Sequence, residues 1–315
     1  MGTSEQHPSS AGLPVEAADI VRELTGDLPC ARCKYNLRGL SVRGACPECG
    51  TPVRATLLAV VDPHAAELRP LTYPRLTAVG LQIWAICGLG AAVTVWILRA
   101  GDLAHVFGLS SPPAGWQGEW IPRLVPILIA ASGLGAVWLV RPHAGIPARH
   151  ALAAACACGA YVLLALIAWR VNVTLDAWRA SVFFGGAPRT LDRPLLRLGA
   201  DALMIGAALG LRFNVSALVA RSMLLRSGNV DRQTLTAIAG AVGVAALGDL
   251  LHIASALMEP WRGELIRLIG TMLIGLASTL VTIGLMGVVW DCVRLWPVII
   301  APPLALEDLL ERRPE

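Results

Sequence analysis

Four cysteines carry the most specific chemistry in the chain: Cys30-Ala-Arg-Cys33, then twelve residues, then Cys46-Pro-Glu-Cys49-Gly50. A thiolate is a soft, anionic ligand suited to Zn2+, and the two-residue spacer lets one tight turn aim both sulfurs at a single point. Two such pairs complete a tetrahedron. Because all four positions are protein ligands, the predicted zinc is structural, with no open position for a catalytic water. Gly50 follows the second pair, where a residue free to take positive φ lets backbone N–H groups turn toward the sulfurs. Lys34 stands in the equivalent place after the first pair.

The run Cys33-Lys34-Tyr35-Asn36-Leu37-Arg38-Gly39-Leu40, followed by Cys46-Pro47-Glu48-Cys49-Gly50, resembles the C-x2-C-G-Y-D/N-L-R-G-L…C-P-E-C-G head found on many bacterial multi-spanning membrane proteins. It is more loosely similar to zinc-ribbon and rubredoxin-type knuckles. The resemblance covers about twenty residues, with Lys34 in place of the usual Gly as its one mismatch. It implies a zinc-ribbon head on a membrane protein and brings no activity with it. Iron in a rubredoxin-like electron-transfer role is the alternative for the same four ligands; the short gap between the pairs, against the much longer one of rubredoxins, favours zinc.

A head of this size needs something to fold it. Tyr35, Leu37, Leu40 and Val42 are the side chains available for packing between the pairs, too few for a core. Metal binding, on the order of 10–16 kcal/mol, is therefore expected to drive the folding of residues 28–56. Residues 1–27 begin polar, without the basic and apolar regions of a cleaved signal peptide. Within them Val15 to Leu24 has the spacing of a short amphipathic helix. Residues 57–75 include Pro63, Pro70 and Pro74 and are expected to form an extended, semi-rigid connection.

The rest of the chain must place this head, and its composition says where. Apolar residues make up 55% and charged residues 15%, and the mean hydropathy is +0.61, outside the usual range for a soluble chain of this length. The apolar residues fall in runs that approach the ~20 needed to cross a bilayer core. Six spans are predicted: 76–98, 121–140, 151–169, 195–211, 235–258 and 265–290, followed by a tail over 297–315. The fourth is short and interrupted by Arg197 and Asp201, and can extend amphipathically to Leu225. Trp96, Trp120, Trp138, Trp169, Trp261 and Trp290 lie at or next to proposed ends, where amphipathic rings prefer the interface.

The expected fold is thus an all-α integral membrane bundle of about six transmembrane helices with a small N-terminal zinc-ribbon (β-knuckle) module. Twelve arginines flank the spans on the N-terminal side of the membrane against nine on the other, which predicts cytoplasmic N- and C-termini in a bacterial inner membrane. The four cysteines outside the head (Cys87, Cys156, Cys158 and Cys292) lie in apolar runs, so no secreted disulfide framework is expected and the head should face a reducing compartment. The net charge of +4, from 25 Arg and the single Lys34, is no argument for nucleic acid, and no nucleic-acid partner is expected. The expected partners are the lipid bilayer and a cytoplasmic protein at the head.

Within the spans, ionisable residues are functional candidates by default. Asp249 and His252, three residues apart on the fifth span, form the candidate intramembrane polar site, where a carboxylate can hydrogen-bond an imidazole. Asp201, Arg212 and Asp291 read as interface or structural groups. Ala202, Gly206 and Gly210 on the fourth span, and Ala239, Gly243 and Leu247 on the fifth, predict smooth packing stripes. No Ser/His/Asp set, HExxH or phosphate loop is present, so no catalytic residues are assigned and an enzyme is the weaker expectation. Three functions remain in order of preference: an interaction or regulatory module at the ribbon, a small transporter or channel using the fifth span, and a membrane-embedded enzyme.

Overall fold

The computed structural model describes residues 23–24, 26–61, 71–110, 112–113, 115–116, 118–184, 190–225 and 234–300. Most of the expected amphipathic helix at Val15 to Leu24, most of the proline-bearing connection and residues 301–315 of the tail lie outside them; residues 297–300, expected in the tail, are helical. Among the described residues the helices are α1 (Val53–Val61), α2 (Pro74–Leu98), α3 (Ala100–Val106), α4 (Trp120–Val137), α5 (Ala148–Trp169), α6 (Asp192–Leu225), α7 (Thr234–Ala256) and α8 (Pro260–Ile300). A π-helical turn, Arg170–Leu175, continues α5.

Six of these helices are long and apolar enough to cross a membrane, matching the six expected runs. The fourth is the longest departure: α6 runs 34 residues and reaches Leu225. Helix α8, at 41 residues, is about 60 Å long at 1.5 Å per residue, twice the ~30 Å hydrocarbon core. Leu265, Ile269, Met272, Leu276, Leu280 and Ile283 are exposed along it at helical spacing. Such a surface is stable against lipid tails and would be an aggregation site in water.

The main core is built where helices approach closely. A Cβ on Gly80 of α2 would meet the Gly135 carbonyl of α4 at 2.7 Å, and one on Gly248 of α7 would meet the Gly270 carbonyl of α8 at 2.7 Å. These contacts require glycine because the two backbones touch. Around the first crossing, the Trp84 indole donates to the Tyr161 hydroxyl at 2.7 Å and the Ser132 hydroxyl donates to the Trp84 carbonyl at 2.8 Å, tying α2, α4 and α5 together. Asn214 of α6 is fully buried, and its Nδ2 donates to the Leu139 and Val140 carbonyls beyond the end of α4, both at 2.8 Å. In that position the amide satisfies orphan carbonyls that no helix turn can reach.

The small-residue stripes correct the sequence expectation. Gly210 does pack, against the Ala153 carbonyl of α5, and on α7 Ala239 is buried and Gly248 nearby meets α8, but Ala202, Gly206 and Leu247 are exposed. The packed line of α6 is Ala207, Leu211, Asn214 and Leu218, and that of α7 is Val242, Ala245 and Asp249. Both helices are rich in small residues all round, so composition alone does not choose which stripe turns inward. Trp96, two residues from the end of α2, also ties helices together: its indole donates to the Thr282 hydroxyl of α8 at 2.9 Å.

Candidate functional site

The head is two turns with the same backbone hydrogen-bond pattern. In the first, the Cys30 N–H donates to the Tyr35 carbonyl (2.7 Å) and the Lys34 N–H to the Cys30 carbonyl (3.0 Å). In the second, the Cys46 N–H donates to the Thr51 carbonyl (2.7 Å) and the Gly50 N–H to the Cys46 carbonyl (2.8 Å). Single bridges, Pro29 with Asn36 and Ala45 with Pro52, close the two turns at the same offset; among the described residues these bridges do not lengthen into strands. The turn requires positive φ at its fifth position, and Gly50 (71°) and Lys34 (66°) both adopt it. Lys34 is the one non-glycine residue with positive φ among the described residues, so the sequence mismatch preserves the backbone at a steric cost.

The four sulfurs converge. Cys30, Cys33, Cys46 and Cys49 place their Sγ atoms within 4.8 Å of one another, with Cys30 to Cys49 at 3.6 Å and Cys33 to Cys46 at 3.4 Å. A tetrahedron of 2.3 Å Zn–S bonds has edges of about 3.8 Å, and a disulfide would need about 2.05 Å. The set therefore fits a metal ion held by four thiolates. For Cys33, the Tyr35 backbone favours the thiolate, but desolvation and hydrogen bonds with the Cys49, Cys46 and Cys30 thiols outweigh it and push the thiol up to about 12. For Cys49, desolvation opposes ionisation, and hydrogen bonds from the Thr51 side chain and backbone, then Cys33 and Cys30, overcome it and lower the thiol to about 6. The ligand set thus contains one cysteine poised to meet a cation as thiolate.

Packing around the sulfurs differs in part from the sequence expectation. Leu37 is fully buried and Leu40 packs beside it, but Tyr35 is 42% exposed and stays outside. What replaces it comes from α1: Val53 is fully buried with Cys30 and Cys46, and Leu57 packs on the cluster. The Thr56 hydroxyl, also buried, accepts the Ala31 N–H at 3.2 Å inside the first turn. Residues 57–61, expected as part of an extended connection, are helical, and Leu57 packs on the head.

A second cluster lies at the opposite end of the bundle from the start of α2. After α2 the chain breaks at Arg99 (φ −97°, ψ 9°), and the Arg99 side chain is buried. Its Nη2 donates to Asp176 Oδ2 at 2.7 Å and to Asn172 Oδ1 at 3.3 Å. Arg193 of α6 donates from Nε to both oxygens of the same carboxylate, at 3.1 and 3.0 Å. Deeper in the bundle, Arg197 Nε donates to Asp249 Oδ2 at 3.1 Å, and the Asp201 carboxyl faces the same pair. Phe183 is stacked under this ladder, its ring 4.6 Å from the Arg193 guanidinium and 5.7 Å from that of Arg197. The loop carrying Phe183 is held by Asp102 of α3, whose Oδ1 accepts the Ser181 hydroxyl and the Val182 and Phe183 N–H groups.

Sequence spacing pointed to Asp249 and His252 as mutual partners; the structure gives them different ones. Asp249 is fully buried and bonds Arg197, while His252 Nε2 lies 3.1 Å from the Thr271 hydroxyl of α8. The cluster includes Arg99, Asp102, Asp176 and Arg193, none of them singled out by their local sequence. Their intramembrane or near-membrane charge was the available signal, but they lie at span ends, where charge is ordinary. Comparison with known proteins adds no relative: no family model, no curated protein and no solved structure matches the chain.

Proposed function

We propose that this chain is an integral protein of a bacterial inner membrane whose cytoplasmic head holds one structural zinc ion and acts as a protein-interaction or regulatory module, in the manner of the zinc-ribbon membrane proteins its head resembles. The observation that carries this reading is the convergence of four cysteine sulfurs within 4.8 Å, a donor set that fills zinc's coordination shell with protein. A filled shell leaves the metal a folding role, so what the head offers is a surface. Zinc suits the set better than iron on the short spacer between the pairs.

Charge supports the orientation. Twelve arginines flank the spans on the side of the head against nine on the other, and of those nine Arg99, Arg193 and Arg197 are ion-paired inside the bundle.

The test is a pull-down from native membranes comparing wild type with Cys46→Ser, with metal measured on both. The expected result is about one zinc per wild-type chain and a co-purifying protein lost from the variant. A partner retained by the metal-free variant removes the interaction role, and wild-type zinc well below one per chain removes the metal. A transport reading has one observation in its favour, the fully buried Asp249 paired to Arg197. It predicts liposome flux that depends on Asp249 or His252 and survives deletion of the head.

A further inference from the structure

The polar ladder opens on a cavity of about 500 Å3, in the size range of small-molecule sites. Its walls come from the seven helices α2 to α8 and are mostly apolar: Trp96, Leu164, Met204 and Ile274 are representative. One end is different. Arg99, Asp102, Arg197 and Asp201 line it together.

These groups are not saturated by the protein. Asp201 is 4% exposed and its Oδ2 receives no donor, and the same holds for Asp102 Oδ2. Asp249 Oδ1, facing Asp201, also lacks a donor. Two ionised carboxylates only accept, so this facing pair needs either a shared proton or a donor from outside the protein. The formal charges point the same way. With His252 neutral, the cluster sets four carboxylates (Asp102, Asp176, Asp201, Asp249) against three guanidiniums (Arg99, Arg193, Arg197). Asp176 is shared by two arginines, and Asp249 has Arg197. Asp102 is served by three hydrogen bonds on its other oxygen. The excess negative charge therefore falls on Asp201, in a site where an uncompensated ion is costly.

We propose that the cavity binds an amphiphile with a primary ammonium head and an apolar tail, the head donating to Asp201 Oδ2 and the tail lying among the wall residues. An ammonium supplies both missing elements at once, positive charge and several donors, while the arginines already present disfavour a cation without a tail to hold it. Arg99 Nε, buried and unpaired at the same end, further offers a donor to a phosphate or hydroxyl next to the ammonium. Such a head occurs both on aminophospholipids of the bilayer and on single-chain lipophilic amines.

The experiment measures binding of dodecylamine, dodecanol and dodecanoate to the purified, delipidated full-length protein by native mass spectrometry. These three share a chain and differ only in the head. The wild type is expected to bind the amine roughly tenfold or more tighter than either other probe, a preference that Asp201→Asn abolishes while retaining dodecanol binding. Retained dodecanol binding also shows that the variant folds. Gly275→Phe provides a second variant: Gly275 lines the cavity and a Cβ there meets nothing within 4 Å, so the ring fills the tail site and is expected to weaken all three probes. Phosphatidylethanolamine that displaces dodecylamine, where phosphatidylglycerol does not, identifies the bilayer as the source; failure of both to displace it identifies a single-chain amine. Equal binding of the three heads, a preference for dodecanoate, or an amine preference unchanged in Asp201→Asn overturns the proposal and leaves a proton shared by Asp201 and Asp249 as the compensating charge.

Discussion

The two polar centres of this protein are built in opposite ways. In the head, all four ligands fall within 20 residues, and each pair is aimed by its own turn. In the bundle, Arg99, Asp176, Arg193, Arg197 and Asp249 come from α2, the end of α5, α6 and α7, and only helix packing brings them together. On the proposed reading the head depends on a metal to fold, whereas the ladder depends on the fold to pair. One consequence is that the two should fail independently.

The largest break in that comparison is Cys46→Ser. Loss of one thiolate from a four-thiolate site removes most of a binding free energy on the order of 10–16 kcal/mol, so zinc content is expected to fall from one per chain to near zero. Helicity and thermal unfolding of the bundle in detergent should be unchanged. Parallel loss of the bundle transition would show that head and bundle fold as one unit.

Asp176→Ala is the converse and somewhat smaller. It leaves Arg99 and Arg193 buried without their shared carboxylate, a loss of about 3–5 kcal/mol expected as a lower unfolding temperature in detergent. Zinc stoichiometry should stay at one per chain. An unchanged transition would mean that the two guanidiniums reach water or lipid phosphate without Asp176.

Protons sharpen the account of the head. A group whose folded-state pKa is depressed favours the folded or bound form as pH rises. Cys49, lowered to about 6, is therefore already a thiolate above that pH and protonated below it. In a metal-free head that holds this conformation the metal displaces one proton fewer above about pH 6 than below it, so the slope of log affinity against pH decreases by one unit across that value, whereas a metal-free head that unfolds, as its small core predicts, shows no break there. Competition with a chromophoric chelator between pH 5 and 7.5 measures it, and Thr51→Val, which removes the hydroxyl beside Cys49, should move the break upward.

Lys34→Gly is the smallest expected effect. The residue holds φ at 66°, a conformation that costs a side-chain-bearing residue about 1 kcal/mol more than glycine, so the variant should bind zinc about fivefold tighter in the same competition assay. Weaker binding would assign the Lys34 side chain a role beyond its backbone.

Much of this was legible in the linear chain, for identifiable reasons. The six apolar runs were readable because a bilayer demands a length, and the demand is local to each segment. The cysteine set was readable because two-residue spacing acts over a single turn. What the chain left open was any choice of face. Ala202 and Gly206 are as smooth as Ala207 and Gly210, which pack, and nothing local decides between them. Tyr35 appeared to be core because it is apolar and adjacent to ligands, yet Val53 and Leu57 on α1 took that place after folding back on the first turn.

Sequence by itself therefore determined the four-cysteine set that could hold a metal and the six runs long and apolar enough to cross a membrane, properties written in spacing and run length. Only tertiary structure decided the partners of Asp249 and His252, the burial of Arg99 and Arg193, and the cavity in which Asp201 keeps an unmatched oxygen. The physical reason is range. A turn or a span is fixed by neighbours a few residues away, whereas a buried charge is matched by whichever helix packing delivers, here a carboxylate 77 residues along the chain from Arg99 and another 52 from Arg197.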